Sequence, residues 1–204
     1  MLFSDSYYTI KFPHQALIKD RGSKFIGFVF PVVNESEIKN HLLQLRKEHP
    51  NANHHCYAWR LGADKSAFRF NDDGEPSNTA GKPIYGQIQA KDLTNVLLVV
   101  VRYFGGTLLG VGGLINAYKT AAAEAINGAI ILEKFILFEY RIEFDEDVIN
   151  HVMRILKINE AKIISHTYEN QNSVVFQIKK QNAVNLEKDF ADLYTTKLNY
   201  LKIV

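Results

Sequence analysis

The chain has 204 residues, 47% hydrophobic and 23% charged, with a formal net charge of +2. That is enough apolar mass for one sizeable core or two modest ones, and too little excess charge for bulk attraction to polyanions. Its single cysteine, Cys56, excludes an internal disulfide, and the longest aliphatic run, Val96 to Val101, falls far short of the ~18–20 apolar residues a membrane span requires.

The opening stretch MLFSDSYYTIKFP has neither the basic n-region nor the continuous apolar core of a secretory signal, which makes a cytoplasmic, unprocessed protein with no membrane association the expectation. Residues 7–32 read as strand, turn, strand, their aromatic and aliphatic runs broken at Pro13 and at Asp20-Arg21-Gly22-Ser23. Asn34 with Glu37 three positions on forms a capping-box pattern. Ile38, Leu42 and Leu45 then recur at helical spacing until His49-Pro50 stops them, predicting an amphipathic helix. HHCYAWRLG and AFRFNDDGE predict two strands joined across Gly62-Ala63-Asp64-Lys65. A helix follows around Pro83, which is tolerated only in a first turn, with Ser77, Asn78 and Thr79 as side chains suited to cap it. NVLLVVVRYF is a buried strand and LINAYKTAAAEAING a helix. In that helix Leu114, Tyr118, Ala121 and Ala125 form one stripe, the alanines allow close packing on a sheet, and Asn127-Gly128 predict a left-handed stop.

From about Phe135 the pattern restarts. FILFEYRIEF is a strand, DEDVINHVMRILKI a helix with Asp145 as its N-cap, and AKIISHTY and SVVFQIKK a hairpin around Glu169 to Asn172; NLEKDFADLY is a helix and LNYLKIV a strand. The order βαββαβ is that of a ferredoxin-like unit, so two domains are expected, 1–134 and 135–204. The first carries 15 Lys and Arg against 12 Asp and Glu, the second 9 against 10, so neither is a strongly basic module.

Three stretches carry candidate chemistry. VRYFGGTLLGVGG, Val101 to Gly113, fails the Walker A test because no Lys-Ser or Lys-Thr follows its glycines, and fails the dinucleotide fingerprint because Ile115 stands where the last small residue belongs. What remains is a strand, a glycine turn and a helix N-terminus, where backbone N–H groups favour an anion. Gly105 and Gly106 in the turn, with Arg60, Lys82, Arg102 and Lys119, are the candidate ligand-binding residues; the competing reading is that the glycines only permit the turn and close helix packing. In RFNDDGEPSNTAGKP, the loop residues Asp72, Asp73, Gly74, Glu75, Ser77, Asn78 and Thr79 offer a turn with three carboxylates, without EF-hand spacing. In NHHCYAWR, His54, Cys56, Ala58 and Arg60 share one strand face, the other being a core face with Tyr57 and Trp59. No zinc-like ligand set is complete, and His54 and Cys56 are too far apart on one strand for a nucleophile and its base. No metal and no cofactor are expected.

NHHCYAWRLG, NDDGEPSNTAGKP and VVVRYFGGTLLGVGGLINAY, in this order over residues 53–118, resemble the IMPACT/YigZ family, whose motifs include a DDGEPxGTAG stretch and an R[FY][FY]GGxxLG stretch. The resemblance extends to the remainder, since bacterial members carry a small ferredoxin-like C-terminal domain. It implies an α+β protein in which 1–134 adopts the fold of ribosomal protein S5 domain 2 and 135–204 looks like the last domain of elongation factor G. Eukaryotic members regulate translation by competing for the activator of a stress kinase through an additional N-terminal domain, which is not expected here, so that partner is not implied. Asn78 departs from the motif's glycine; Asn is the best replacement at a left-handed position.

The reading that follows is a regulatory binding protein engaging RNA, the ribosome or a translation factor through a cleft between the Asp72–Lys82 loop and the Arg102–Gly113 turn. The alternative is a hydrolase or transferase acting there on a small phosphorylated or peptide substrate, with Asp73 or Glu75 as base and His54 or His55 as acid. No full nucleophile, base and orienter set supports it. A third reading is an adaptor contacting proteins through the C-terminal sheet, whose acidic balance argues against general RNA binding. Oligomeric state is not written in the sequence.

Overall fold

The structure, a computed structural model, describes residues 4–168 and 172–204. It divides into two compact units, Tyr7–Lys134 and Phe135–Val204, the latter including the first residues of the chain to Ser6. Both are mixed α/β.

In the first unit, the central strand is the Val96–Val101 run seen in the sequence. Strands β2 (His14–Asp20), β3 (Ser23–Pro31), β4 (His54–Leu61), β5 (Ala67–Asn71) and β6 (Val96–Tyr103) form one sheet in the order β2-β3-β6-β4-β5. Every neighbouring pair is antiparallel. Helices α2 (Gly81–Ala90) and α3 (Gly110–Asn127) cover one face, packing on Val96, Leu98 and Val100. Helix α1 (Glu35–Glu48) covers the other, where Ile38 and Leu45 meet Leu97, Val99, Val101 and Trp59. Both faces of β6 are therefore buried, which is why its sequence is continuous rather than alternating. The α1 capping box forms: the Glu37 N–H donates to Asn34 Oδ1 at 2.9 Å, and the Glu37 carboxylate accepts from the Val33 N–H at 2.8 Å.

Four local readings of this unit need correction. Residues 7–32 hold three strands, because β1 (Ser6–Ile10) ends before Pro13 and pairs with β7 (Ile131–Phe135) instead of its neighbours. Such a partner, more than a hundred residues away, leaves no local signal. Gly128 ends α3 at φ −83°, not left-handed; a side chain there would collide with the His14 ring, so glycine is required by contact rather than by backbone conformation. Cys56 and Ala58 are fully buried against α2 and α3, so β4 has two core faces and not one. Helix α2 has no side-chain cap at its own N-cap, Ala80; its cap comes from further back, as described below.

The second unit comprises β8 (Leu137–Phe144), α4 (Ile149–Ile158), β9 (Lys162–Thr167), β10 (Asn172–Lys179), α5 (Lys180–Ala191) and β11 (Thr196–Ile203), a βαββαβ order in a sheet β11-β8-β10-β9. Tyr140, Ile142, Phe144, Val174, Phe176 and Ile178 face Val152, Ile155, Leu156, Leu186 and Phe190 of the two helices. Asp145 precedes a 3-10 turn, Glu146–Val148, and its side chain caps nothing. Residues 169–171 of the β9–β10 connection lie outside the described residues. Among the described residues no helix is long and apolar enough to cross a membrane.

Candidate functional site

The loop after β5 is ordered by its own side chains. Asp72 Oδ1 accepts the N–H groups of Ala80 (3.0 Å) and Gly81 (2.8 Å), and Oδ2 that of Asn78 (2.9 Å). One carboxylate thus satisfies the open N-terminal donors of α2, the role the sequence reading gave to Ser77, Asn78 or Thr79. Asn78 sits at φ +63°, the left-handed region its residue type tolerates. Thr79 turns its hydroxyl onto the Pro76 carbonyl at 2.6 Å. Asp73 accepts from Arg46 at 2.7 Å and from the His55 N–H at 2.6 Å, tying β4 to α1. With both oxygens so engaged, Asp73 is a structural residue and not a base facing the cleft. His55 is buried, and burial holds its imidazole below the ordinary value, in the neutral form.

Glu75 points the other way. Its side chain is only 4% exposed, and Oε1 accepts from Arg102 Nη1 and from the Tyr118 hydroxyl at 2.7 Å. Arg102 is equally buried and lies between the rings of Phe25 and Phe104, 5.4 and 5.5 Å from their centroids. His54 is the direct cross-strand neighbour of Arg102. Its Nδ1 lies 2.8 Å from the Asp73 carbonyl, which only accepts, so Nδ1 carries the hydrogen and Nε2 stands free 3.8 Å from Glu75 Oε1. Cys56 donates its one hydrogen to the Asp72 carbonyl at 3.0 Å, and its sulfur lies 3.4 Å from the Tyr118 oxygen. Burial pushes both its thiol and the Tyr118 phenol far up, so neither is an activated nucleophile.

His54, Glu75 and Arg102 form the floor of a cleft of about 480 Å³. Asn53, Pro76, Phe104, Leu108, Leu109, Gly110, Val111 and Leu114 complete its lining, with Leu108 82% and Val111 59% exposed. The floor is polar, its Arg102 charge paired with Glu75 but its Arg102 Nε without a hydrogen-bond partner among the described residues; the rim is apolar and open. Of the residues the sequence singled out, His54, Glu75 and Arg102 come together here. Arg60 does not: it is buried at the far end of β4, bonded to the Leu93 carbonyl and to Asp92, whose carboxyl Lys65 and Arg60 hold below its usual range. Lys82 and Lys119 are exposed and do not line the cleft.

Gly105 lies against the Gly22 backbone, which a side chain at 105 would strike, and its N–H donates to the Ser23 hydroxyl at 3.1 Å. Gly105 therefore serves close packing, and its donor is already taken. Gly106, at φ +88°, faces open space. Sequence reasoning missed Tyr118, Phe104 and the Leu108–Val111 rim. A tyrosine in an otherwise apolar stripe needs a partner for its hydroxyl, which is the signal that leads to Tyr118.

The family model described as the Impact N-terminal domain matches residues 21–126. The IMPACT family member YigZ of Escherichia coli (strain K12) is 36% identical over 149 residues, 72% of this chain and 73% of that protein. The crystal structure of an hypothetical protein is 29% identical, with 98% of this chain and 99% of that one covered and a TM-score of 0.76. A structure of the two-domain translational regulator Yih1 is 31% identical over 60% of this chain and 47% of that one; its TM-score of 0.36 says nothing about fold.

Proposed function

Because the chain belongs to the IMPACT family, we propose that it is a translation-linked binding and regulatory protein, cytoplasmic, that engages RNA, the ribosome or a translation factor through the cleft between the Glu75 loop and the Arg102–Gly113 turn. Family membership supports the translational role. The observation that carries the cleft is the pairing of an exposed apolar rim, Phe104, Leu108 and Val111, with a charge-compensated floor. Exposed leucine and valine at a concave site mark a binding surface rather than a folding requirement. Since Arg102 is already neutralised by Glu75, the lining suits an apolar side chain of a ribosomal protein or translation factor better than a phosphate.

In the same reading, residues 1–134 form an S5 domain 2-like domain and residues 135–204 a ferredoxin-like domain resembling the last domain of elongation factor G. The βαββαβ order with sheet order β11-β8-β10-β9 supports the second assignment. The test is cosedimentation with purified ribosomes and pull-down of purified translation factors, using the full chain and Leu108→Asp/Val111→Asp. The reading expects capture of at least one of these partners and at least a tenfold loss of affinity in the variant, its melting temperature unchanged because both side chains are exposed. Binding that survives the double substitution would place the contact elsewhere.

A further inference from the structure

In the second unit, strand pleating sorts the charges. On β8, Tyr140, Ile142 and Phe144 turn to the helices, so Glu139, Arg141 and Glu143 stand on the opposite face. The register carries that face across the sheet: Lys197 lies beside Glu143, Lys202 beside Glu139, and Lys162 beside Gln177 on β10, whose Lys179 follows two residues on. Helices α4 and α5 pack on the other side, against the Tyr140 to Phe190 core.

This open face holds five cations and two carboxylates, whereas the other described charges of Phe135–Val204 are four cations and seven carboxylates. A unit close to neutral overall is thus divided into a basic sheet face and an acidic remainder, which the net charge of its sequence concealed. Arg141, Lys162 and Lys197 are exposed and form no ion pair among the described residues, while Lys202 reaches Glu139 at 3.5 Å and Lys179 reaches Glu160 at 3.3 Å. Between the charges the paired positions are Asn199, Gln177, Ser165, Ser173 and Thr167, with Val175 apolar at the centre and Leu137, paired with Lys179, apolar at the end of β8.

We infer that this sheet face binds RNA through its phosphates, independently of sequence. The charge is complementary to a polyanion, and although no two cations are directly paired, Arg141 lies diagonal to both Lys197 and Lys202, and Lys179 diagonal to Lys162. A protein partner requires aromatic or aliphatic anchors at the centre of its footprint, and at the paired positions this face supplies Val175 there, with Leu137 only at the strand's end. The paired positions carry no aromatic side chain on which bases stack, so contacts go to the backbone and carry no sequence information. RNA rather than DNA rests on the translation-linked reading; the surface itself is independent of the cleft.

The experiment is fluorescence anisotropy of the full chain with a labelled, unstructured oligoribonucleotide over a salt series. Engagement of four phosphates gives a log–log slope near −2.8, a loss of roughly fiftyfold between about 50 and 200 mM salt. Arg141→Gln/Lys197→Gln is expected to weaken binding at least tenfold at low salt and to flatten the slope by about 1.4. Lys157→Gln on α4 and the cleft variant Leu108→Asp are expected to bind RNA as the parent does, so failure of the cleft reading leaves this one standing. Absence of binding at low salt, an unchanged slope in Arg141→Gln/Lys197→Gln, equal loss in Lys157→Gln, or preference for polyglutamate over RNA would each overturn the inference.

Discussion

Glu75 and Arg102 are 27 positions apart and meet because the Asp72–Glu75 turn brings the carboxylate over the β4–β6 pair. Removing one partner of a buried ion pair leaves an uncompensated charge, at a cost of roughly 3–5 kcal/mol. Glu75→Gln and Arg102→Met are each expected to destabilise by about that amount in urea titrations. The double variant is expected to cost less than the two single costs together, by more than about 1 kcal/mol. Strict additivity would mean that the two side chains are not energetically joined. At this scale the sequence offered the right residues with incomplete roles. Arg102 reads as an anion partner from its place before a glycine turn, and it is one, but its anion is internal. Asp73 reads as a base from its neighbours, yet the His55 N–H and Arg46 occupy it. Both roles depend on strand register, which composition and spacing do not encode.

Periodicity located α1, α3 and α4 and most strands, since amphipathic stripes and a continuous apolar run follow from which faces are covered, whereas α5 starts at Lys180, five residues before the stretch read as a helix. Pro83 located the start of α2 but not its cap, because Asp72 reaches forward six to nine residues to Asn78, Ala80 and Gly81. The capping pattern sought in sequence spans only three. Asp72→Ala leaves three N–H groups without their acceptor at once and is expected to lower stability by about 2 kcal/mol. It should also accelerate amide hydrogen exchange in the first turn of α2, while Ser77→Ala stays within about 0.5 kcal/mol of the parent. Equal costs for the two would return the cap to the serine. The strand β1 was hidden for a related reason: its partner β7 lies at the other end of the unit's sequence, and non-local pairing leaves no local trace.

Over the whole molecule, the motifs that mark the family are largely those that build the cleft. The Asp72–Gly81 loop supplies a helix cap, a strand tie and a buried acid, and the Arg102–Gly113 turn supplies that acid's partner and the apolar rim. The sequence revealed these stretches as a pair but not their chemistry, because the exposure of Leu108 and Val111 is decided by the packing of α3. The distribution of charge in the second unit was equally out of reach: a net count cannot tell one sheet face from its reverse. The claim that the rim receives a translational partner is tested most directly by placing a photo-crosslinking residue at Leu108 in living cells. Adducts with a ribosomal protein or translation factor, lost when Val111→Asp is added, are the predicted result. No adduct from position 108, or the same adducts from exposed Tyr194 in the other unit, would contradict it.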